Sequence, residues 1–369
     1  MIIGIPKEIK EQENRIGAIP AMVHHLRDAG HTVLVQNGGG LGAGITDAEF
    51  AAVGAKMVES AADIYGEAEM IVKVKEPLPE EFELIRPGQI LFTYFHFAAD
   101  RELTEAMLSC GAQCFAYETL TVDGKLPLLT PMSEVAGRMS IQVGAYYLER
   151  HNGGRGLLLG GVPGVNRSVV MILGAGVVGT NAAKMAAGMG ANVILMDIDL
   201  DRLRYLDDTM TKNVTVLYSS PLAIRERLPS ADLVIGAVLR SGARAPVLVR
   251  REDLSLMKDD GPVIVDVAVD QGGCIETCKP TTHAAPTFVV DGVVHYCVAN
   301  MPGAVPRTST FALTNATAPW VAHLAKAGTE AAASDPGLGT AANILNGKIT
   351  NEGVANAFST SCVEPAAAF

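Results

Sequence analysis

Apolar residues along this chain fall into short runs rich in Val, Ile and Leu, separated by stretches with helical spacing. In the N-terminal third, Ile2–Ile5, Thr32–Gln36, Met70–Val74, Ile90–Tyr94 and Gln113–Ala116 predict strands. Between them, Pro20–Ala29, Asp47–Val53, Pro79–Ile85 and Arg101–Ser109 predict helices. Runs apolar on consecutive positions suit strands covered on both faces, and their alternation with helices predicts βαβ units around a parallel sheet. A longer helix is predicted from Ser133 to Arg150, with Ser133 as its cap and Glu134 in a first turn whose dipole favours a carboxylate. The glycine-rich segment 151–165 has no periodicity and reads as a loop. A second series of strand candidates follows: Val169–Leu173, Asn192–Asp197, Val214–Tyr218, Leu233–Ala237, Val263–Val267 and Val293–Cys297. This is the rhythm of a doubly wound domain. A helix over Ser309–Ala327 then returns the chain, and the tail from Gly328 predicts one or two packed helices.

The fold class expected is α/β, with two doubly wound, Rossmann-like domains of mostly parallel sheet joined by long helices. The first series is short for a doubly wound domain, and the C-terminal segment is too short to fold alone. A discontinuous domain, 1–132 with 305–369, is therefore expected around an inserted domain, 133–304.

Charge narrows the function classes. The 369 residues hold 29 Lys and Arg against 40 Asp and Glu, a net charge of −11. Phosphate backbones and anionic membrane surfaces need the opposite surplus, so neither nucleic acid nor membrane is expected as a partner. Mean hydropathy is high at +0.25, yet no uncharged apolar run reaches the roughly 18 residues of a spanning helix. Lys7, Glu8 and Lys10 interrupt the start, which lacks the apolar core of a signal peptide. The six cysteines form no CxxC pair and read as reduced thiols of a cytoplasmic protein. Cys274, Cys278 and His283 fit no standard metal spacing, so no metal is expected.

One motif carries chemistry directly. Gly174-Ala175-Gly176-Val177-Val178-Gly179 follows the strand 169–173 and opens a helical run, Val177–Met189. Gly174 permits the tight turn, Gly176 lets a pyrophosphate approach the backbone, and Gly179 lets helix and strand pack closely. The pyrophosphate would rest on the helix N-terminus, with Val178 in the same turn. Asp197 ends the next strand, about 20 residues beyond the first glycine, where a carboxylate accepts from a ribose 2′-hydroxyl and repels a 2′-phosphate. NAD is thus expected over NADP, with nearby Arg202 softening the preference. The other glycine cluster, Gly38–Gly44, lacks this frame and reads as a flexible loop.

In open α/β sheets ligands sit beyond the carboxyl ends of the strands. Arg15 lies in the loop after strand 2–5, Lys75 just past strand 70–74, His96 just past strand 90–94, and Asp270 just past strand 263–267. Arg15 can clamp a carboxylate, Lys75 can bind a carboxylate or carbonyl oxygen, His96 can exchange protons near neutral pH, and Asp270 can orient a water or an ammonium. Each residue also has a structural reading: a packed histidine, a solvated cation, a turn-forming aspartate. The strand ends of the two domains are expected to face one cleft.

Several segments together resemble the alanine dehydrogenase family: GIPKEIKEQENRIGAIP at 4–20, VKVKEP around Lys75, FTYFHFA around His96, SEVAGRMS at 133–140, GAGVVG, ADLVIGAVL at 231–239, VDVAVDQGGC at 265–274 and NMPGAVPRTS at 300–309. The resemblance implies reversible, NAD-dependent oxidative deamination of L-alanine to pyruvate and ammonium by a homo-oligomer, commonly a hexamer. It implies that Arg15 and Lys75 bind the substrate and that His96 and Asp270 do acid/base work. Ser133, Asp197, Arg202, Ser219, Leu239 and Asn300 match positions that line the NAD. The NAD-binding subunit of a proton-translocating transhydrogenase and a saccharopine-type amino-acid dehydrogenase are the alternatives from the same superfamily.

Overall fold

A computed structural model describes residues 1–238, 245–269 and 272–368. The chain divides into two compact units, Met1–Met132 with Val305–Phe369, and Ser133–Ala304. Among the described residues fifteen strands run in chain order as β1 (Ile2–Ile5), β2 (Thr32–Gln36), β3 (Lys56–Val58), β4 (Met70–Val72), β5 (Ile90–Thr93), β6 (Gln113–Ala116), β7 (Val169–Leu173), β8 (Asn192–Asp197), β9 (Val214–Tyr218), β10 (Leu233–Gly236), β11 (Val263–Asp266), β12 (Thr287–Val290), β13 (Val293–Tyr296), β14 (Ala342–Leu345) and β15 (Lys348–Ile349).

The first unit has one eight-stranded sheet in the order β15-β14-β6-β5-β4-β1-β2-β3. Its first six strands are parallel, while β14 and β15 pair antiparallel at one edge. The central strands β4, β5 and β6 are buried along their whole length, as two-sided coverage by helices requires. The core joins Ile64, Tyr65, Phe95, Phe97 and Met107 to Ile344 and Val354 of the C-terminal segment. The tail thus does more than the sequence suggests. Besides the helices Pro336–Ala341 and Glu352–Phe358 it supplies β14 and β15. Asn343 interrupts the apolar run of β14, and β15 has only two residues, so neither writes an apolar run in the sequence.

The second unit has a seven-stranded sheet in the order β12-β13-β11-β10-β7-β8-β9. All neighbours are parallel except the hairpin β12–β13, whose turn carries Asp291 and Gly292 at positive φ. The strand β12 is half-exposed and was not legible as a strand in the sequence. The long helix spans Thr130–Tyr147. Ser133 therefore sits inside it and does not cap it, and Glu134 follows in the helix body. The segment Gly38–Gly44 holds a short 3-10 helix, Leu41–Ala43, and a Cβ at Gly40 would lie 2.7 Å from both the Ile45 carbonyl oxygen and the Phe50 ring.

Each sheet has a topological switch point. In the first, the chain winds outward from β1 through β2 and β3, then resumes on the other side at β4. In the second it winds from β7 through β8 and β9, then resumes at β10. Loops leaving the two strands at a switch point diverge and open a crevice at their carboxyl ends.

Candidate active site

In the first unit, the switch point lies between β1 and β4, and the loops after these strands carry Arg15 and Lys75. His96 follows β5, the next strand. The parallel direction of these neighbouring strands puts the three residues beyond their carboxyl ends, on one side of the sheet. The loop of Arg15 is pressed onto the end of β4 by Gly17, where a Cβ would meet the Val72 carbonyl oxygen at 2.6 Å. Only glycine permits that approach.

Arg15 is 2% exposed. Its Nε and Nη2 donate to Glu13 Oε1 at 2.7 Å and Oε2 at 2.5 Å, and its Nη1 lies 3.2 Å from Met132 Sδ. The two-pronged carboxylate contact expected for a substrate is thus already made by a side chain of the protein. Glu13 fixes the guanidinium plane and balances its charge in a site where an unpaired ion would be costly.

Lys75 is half-buried. Glu8 Oε1 accepts from the backbone N–H of Val74 at 2.6 Å and of Lys75 at 3.2 Å. Thr93 Oγ1 donates to the Lys75 carbonyl at 2.9 Å. The adjacent Glu76 pairs with Lys10. Burial raises the Glu76 carboxyl, but the charges of Lys75 and Lys10 outweigh it and leave its pKa below the ordinary value.

His96 occupies the left-handed region at φ 56° and ψ 37°, a conformation rarely imposed on a side-chain-bearing residue without compensation. Glu118 supplies that compensation: its carboxylate accepts from the His96 N–H at 2.6 Å and from the Phe95 N–H at 3.2 Å. The imidazole is half-exposed, stacks on Tyr94 with a 4° interplanar angle, and has Nδ1 4.0 Å from Glu118. Tyr94 itself is buried and donates to the Leu128 carbonyl at 2.6 Å. Burial, partly offset by Arg15, drives its phenol pKa strongly upward, so it stays neutral.

In the second unit, the glycine turn leaves β7 at the switch point. Gly174 has φ +101°, and a Cβ there would lie 2.7 Å from the Ala237 carbonyl oxygen. A Cβ on Gly179 would lie 1.8 Å from the Gly174 carbonyl oxygen. At Gly176 no atom of the described residues would lie within 4 Å of a Cβ. Gly176 is the N-cap of the helix Val177–Gly188 and brings no side chain to its first amides. Two glycines therefore close the turn on itself, and the third leaves room over a helix N-terminus, as a pyrophosphate requires.

Asp197 ends β8 and accepts from the N–H groups of Ala175 (2.5 Å), Ile198 (2.7 Å) and Asp199 (3.0 Å). A carboxylate offers about four acceptor positions, which leaves one for a ribose hydroxyl. Arg202 donates to the Ala175 carbonyl at 3.0 Å and to Thr180 Oγ1 at 2.8 Å, so it braces the glycine turn. Val178 is buried in the first turn of the helix. A Cβ on Gly137 would lie 2.3 Å from the Val178 carbonyl oxygen, so the helix Thr130–Tyr147 packs on the glycine turn. Ser133 is one turn before Gly137, on the same helix face. The Ser219 N–H donates to the Asp197 carbonyl at 2.8 Å. Asn300 has φ 63°, and its carbonyl accepts from Gly303 N–H and lies 3.2 Å from His283 Nε2. Leu239 and Asp270 lie outside the described residues. The segment ahead of Asp270 is fixed by Asp266, a fully buried carboxylate that accepts from the N–H groups of Ala268, Cys274 and Ile275. Burial raises its pKa.

Sequence reasoning missed Glu8, Glu13, Lys73 and Glu118. Their partners are either distant in the chain or lie in irregular loops, so neither spacing nor periodicity marks them.

The chain matches the family described as alanine dehydrogenase/PNT through its N-terminal domain over residues 4–136 and its C-terminal domain over residues 140–352. It is 53% identical over 360 residues to a protein named alanine dehydrogenase from Methanococcus maripaludis, covering 97% of this chain and 96% of that one. A solved structure named L-alanine dehydrogenase superposes with a TM-score of 0.94 at 51% identity, over 97% of this chain and 99% of that one. A transhydrogenase from Sinorhizobium meliloti shares the fold, with a TM-score of 0.82 at 24% identity over 95% of this chain and 99% of that one.

Proposed function

The chain belongs to the alanine dehydrogenase/PNT family, and from that premise we propose that it is an L-alanine dehydrogenase. The reaction is reversible: L-alanine, NAD⁺ and water give pyruvate, ammonium, NADH and a proton. The observation that carries the reading is that Arg15, Lys75 and His96 follow the carboxyl ends of three neighbouring strands of one sheet, in a chain this similar to named alanine dehydrogenases.

The dinucleotide is held by the turn Gly174–Gly179, with Val178 in its helix, by Asp197 and Arg202, and by Ser133, Ser219, Leu239 and Asn300. The room over Gly176 and the remaining acceptor position of Asp197 support this assignment. When bound, NAD⁺ supplies the hydride acceptor. All other steps fall to the chain. Arg15, its plane fixed by Glu13, binds the substrate carboxylate. Lys75 binds the carboxylate and, in the reverse direction, the carbonyl oxygen of pyruvate. The amine must be neutral for electrons to leave Cα as hydride. Water then attacks the iminium carbon, and His96 takes its proton and later returns one to the departing amine. Asp270 stabilises the cationic species and orients ammonium. The active form is a homo-oligomer, a hexamer in this reading, and it works in the cytoplasm. Among the described residues no helix is long and apolar enough to cross a membrane.

The test is the nicotinamide absorbance on adding L-alanine and NAD⁺, with D-alanine and L-lysine in parallel. NADH formation with L-alanine alone is expected. Turnover that requires lysine and a keto acid would point to a saccharopine-type enzyme. Tight NADH binding without any amino-acid-dependent turnover would point to a transhydrogenase subunit.

A further inference from the structure

The segment VKVKEP places two lysines two residues apart, and only Lys75 enters the chemistry above. The other, Lys73, is 1% exposed and lies between two carboxylates, 3.3 Å from Glu8 Oε2 and 2.8 Å from Glu81 Oε1. Two buried carboxylates against one ammonium is an expensive arrangement, and apolar residues would replace a purely structural pair at little cost. What apolar residues cannot do is accept backbone N–H groups. Glu81 Oε2 accepts from Leu78 N–H at 3.0 Å, and Glu8 Oε1 accepts from Val74 and Lys75 N–H. One ammonium thus aligns two carboxylates that fix the loop 74–78 at both ends. Thr93 completes the arrangement by donating to the Lys75 carbonyl. Both peptide groups of Lys75 are tied, one to the loop that bears Arg15 and one to the strand that leads to His96.

We propose that Glu8, held by Lys73, is a positioning residue that together with Thr93 sets the location of the Lys75 amine for substrate binding. The proposal rests on the dehydrogenase reading. Neither Glu8 nor Thr93 need touch substrate: their effect passes through the Lys75 backbone, so it weakens pyruvate and leaves the nucleotide alone.

The experiment measures pyruvate and NADH KM, kcat and NADH affinity for the full-length protein and for Glu8→Ala, Thr93→Val and Thr93→Ser. Thr93→Val keeps the side-chain shape and removes the donor; Thr93→Ser keeps the donor. Glu8→Ala and Thr93→Val should each raise pyruvate KM about tenfold, the equivalent of one lost bond to a charged or buried group. NADH KM and affinity should be unchanged, and Thr93→Ser should restore pyruvate KM. If Glu8→Ala does not fold, the Thr93 pair decides. Unmoved pyruvate KM in Thr93→Val, failure of Thr93→Ser to restore it, or NADH KM rising in step would each overturn the proposal. A parent protein inactive with pyruvate, ammonium and NADH would overturn the functional reading and this proposal with it. An active parent with unmoved variants overturns this proposal alone.

Discussion

Two glycines of one turn should respond to the same substitution in opposite ways. At Gly176 the backbone is extended at φ −67° and ψ −159°, and a Cβ meets nothing within 4 Å among the described residues. Alanine there restricts the unfolded chain, which stabilises by about 0.4–1 kcal/mol. It also replaces a favoured helix cap residue with a poor one, a cost of similar size. The folded protein should therefore melt within about 2–4 °C of the parent. The methyl nonetheless fills the room assigned to the pyrophosphate and blocks its contact with the helix amides. Loss of one charge-assisted bond, about 1.5–3 kcal/mol, weakens NADH by roughly tenfold to a hundredfold. At Gly179 the same methyl would lie 1.8 Å from the Gly174 carbonyl oxygen, where real contacts stay beyond 3.0 Å. The turn and helix must part by about 1 Å, and overpacking of this kind costs about 1–3 kcal/mol. Gly179→Ala should lose both melting temperature and NADH affinity. Calorimetry and titration of NADH fluorescence read the two quantities separately. A Gly176→Ala protein that binds NADH as tightly as the parent would refute the assignment of that space to the nucleotide.

His96→Ala should lose turnover by at least about a hundredfold and keep NADH affinity, as stopped-flow rates and fluorescence titration would show; retained kcat would remove the imidazole from the mechanism. Asp197→Ala should raise KM for NAD and raise the ratio of kcat/KM for NADP to that for NAD; an unchanged ratio would place cofactor discrimination elsewhere. The phenol of Tyr296 is pushed up to about 12 by burial, and burial also raises Tyr65, Tyr94 and Tyr117 above 10.0. Between pH 10 and 12 the native state then holds more protons than the unfolded one, so stability falls as pH rises through that window. Spectrophotometric titration should show these phenols ionising only as the protein unfolds.

Most strands were legible because a parallel strand buried on both faces writes a continuous apolar run, as in β2, β6, β7 and β8. The strands β3, β14 and β15 were not, since Lys56, Asn343 and Lys348 interrupt runs that are already short. Ser133 misled because a serine before an acidic residue imitates a cap while the helix begins a turn earlier. At the site, the glycine turn is a local motif and reads directly. Strand-end position picked out Arg15, Lys75 and His96. What could not be read is what holds them. Glu8 finds Val74 and Lys73, and Glu118 finds His96, only after the parallel sheet sets their strand ends side by side. The engagement of Arg15 with Glu13 is two residues away in sequence, yet a loop without periodicity gives no sign of which side chains turn inward.

The account stands on three strand-end side chains of one unit handling a three-carbon acid while the other unit grips the nucleotide. A crystal structure of the complex with pyruvate and NADH addresses it most directly. The expected complex has the pyruvate carboxylate on the Arg15 guanidinium, its oxygens within hydrogen-bond reach of the Lys75 amine, the His96 imidazole turned to its central carbon, and the pyrophosphate over Gly176. Pyruvate bound away from these residues, or an imidazole facing bulk solvent with the acid in place, would contradict it.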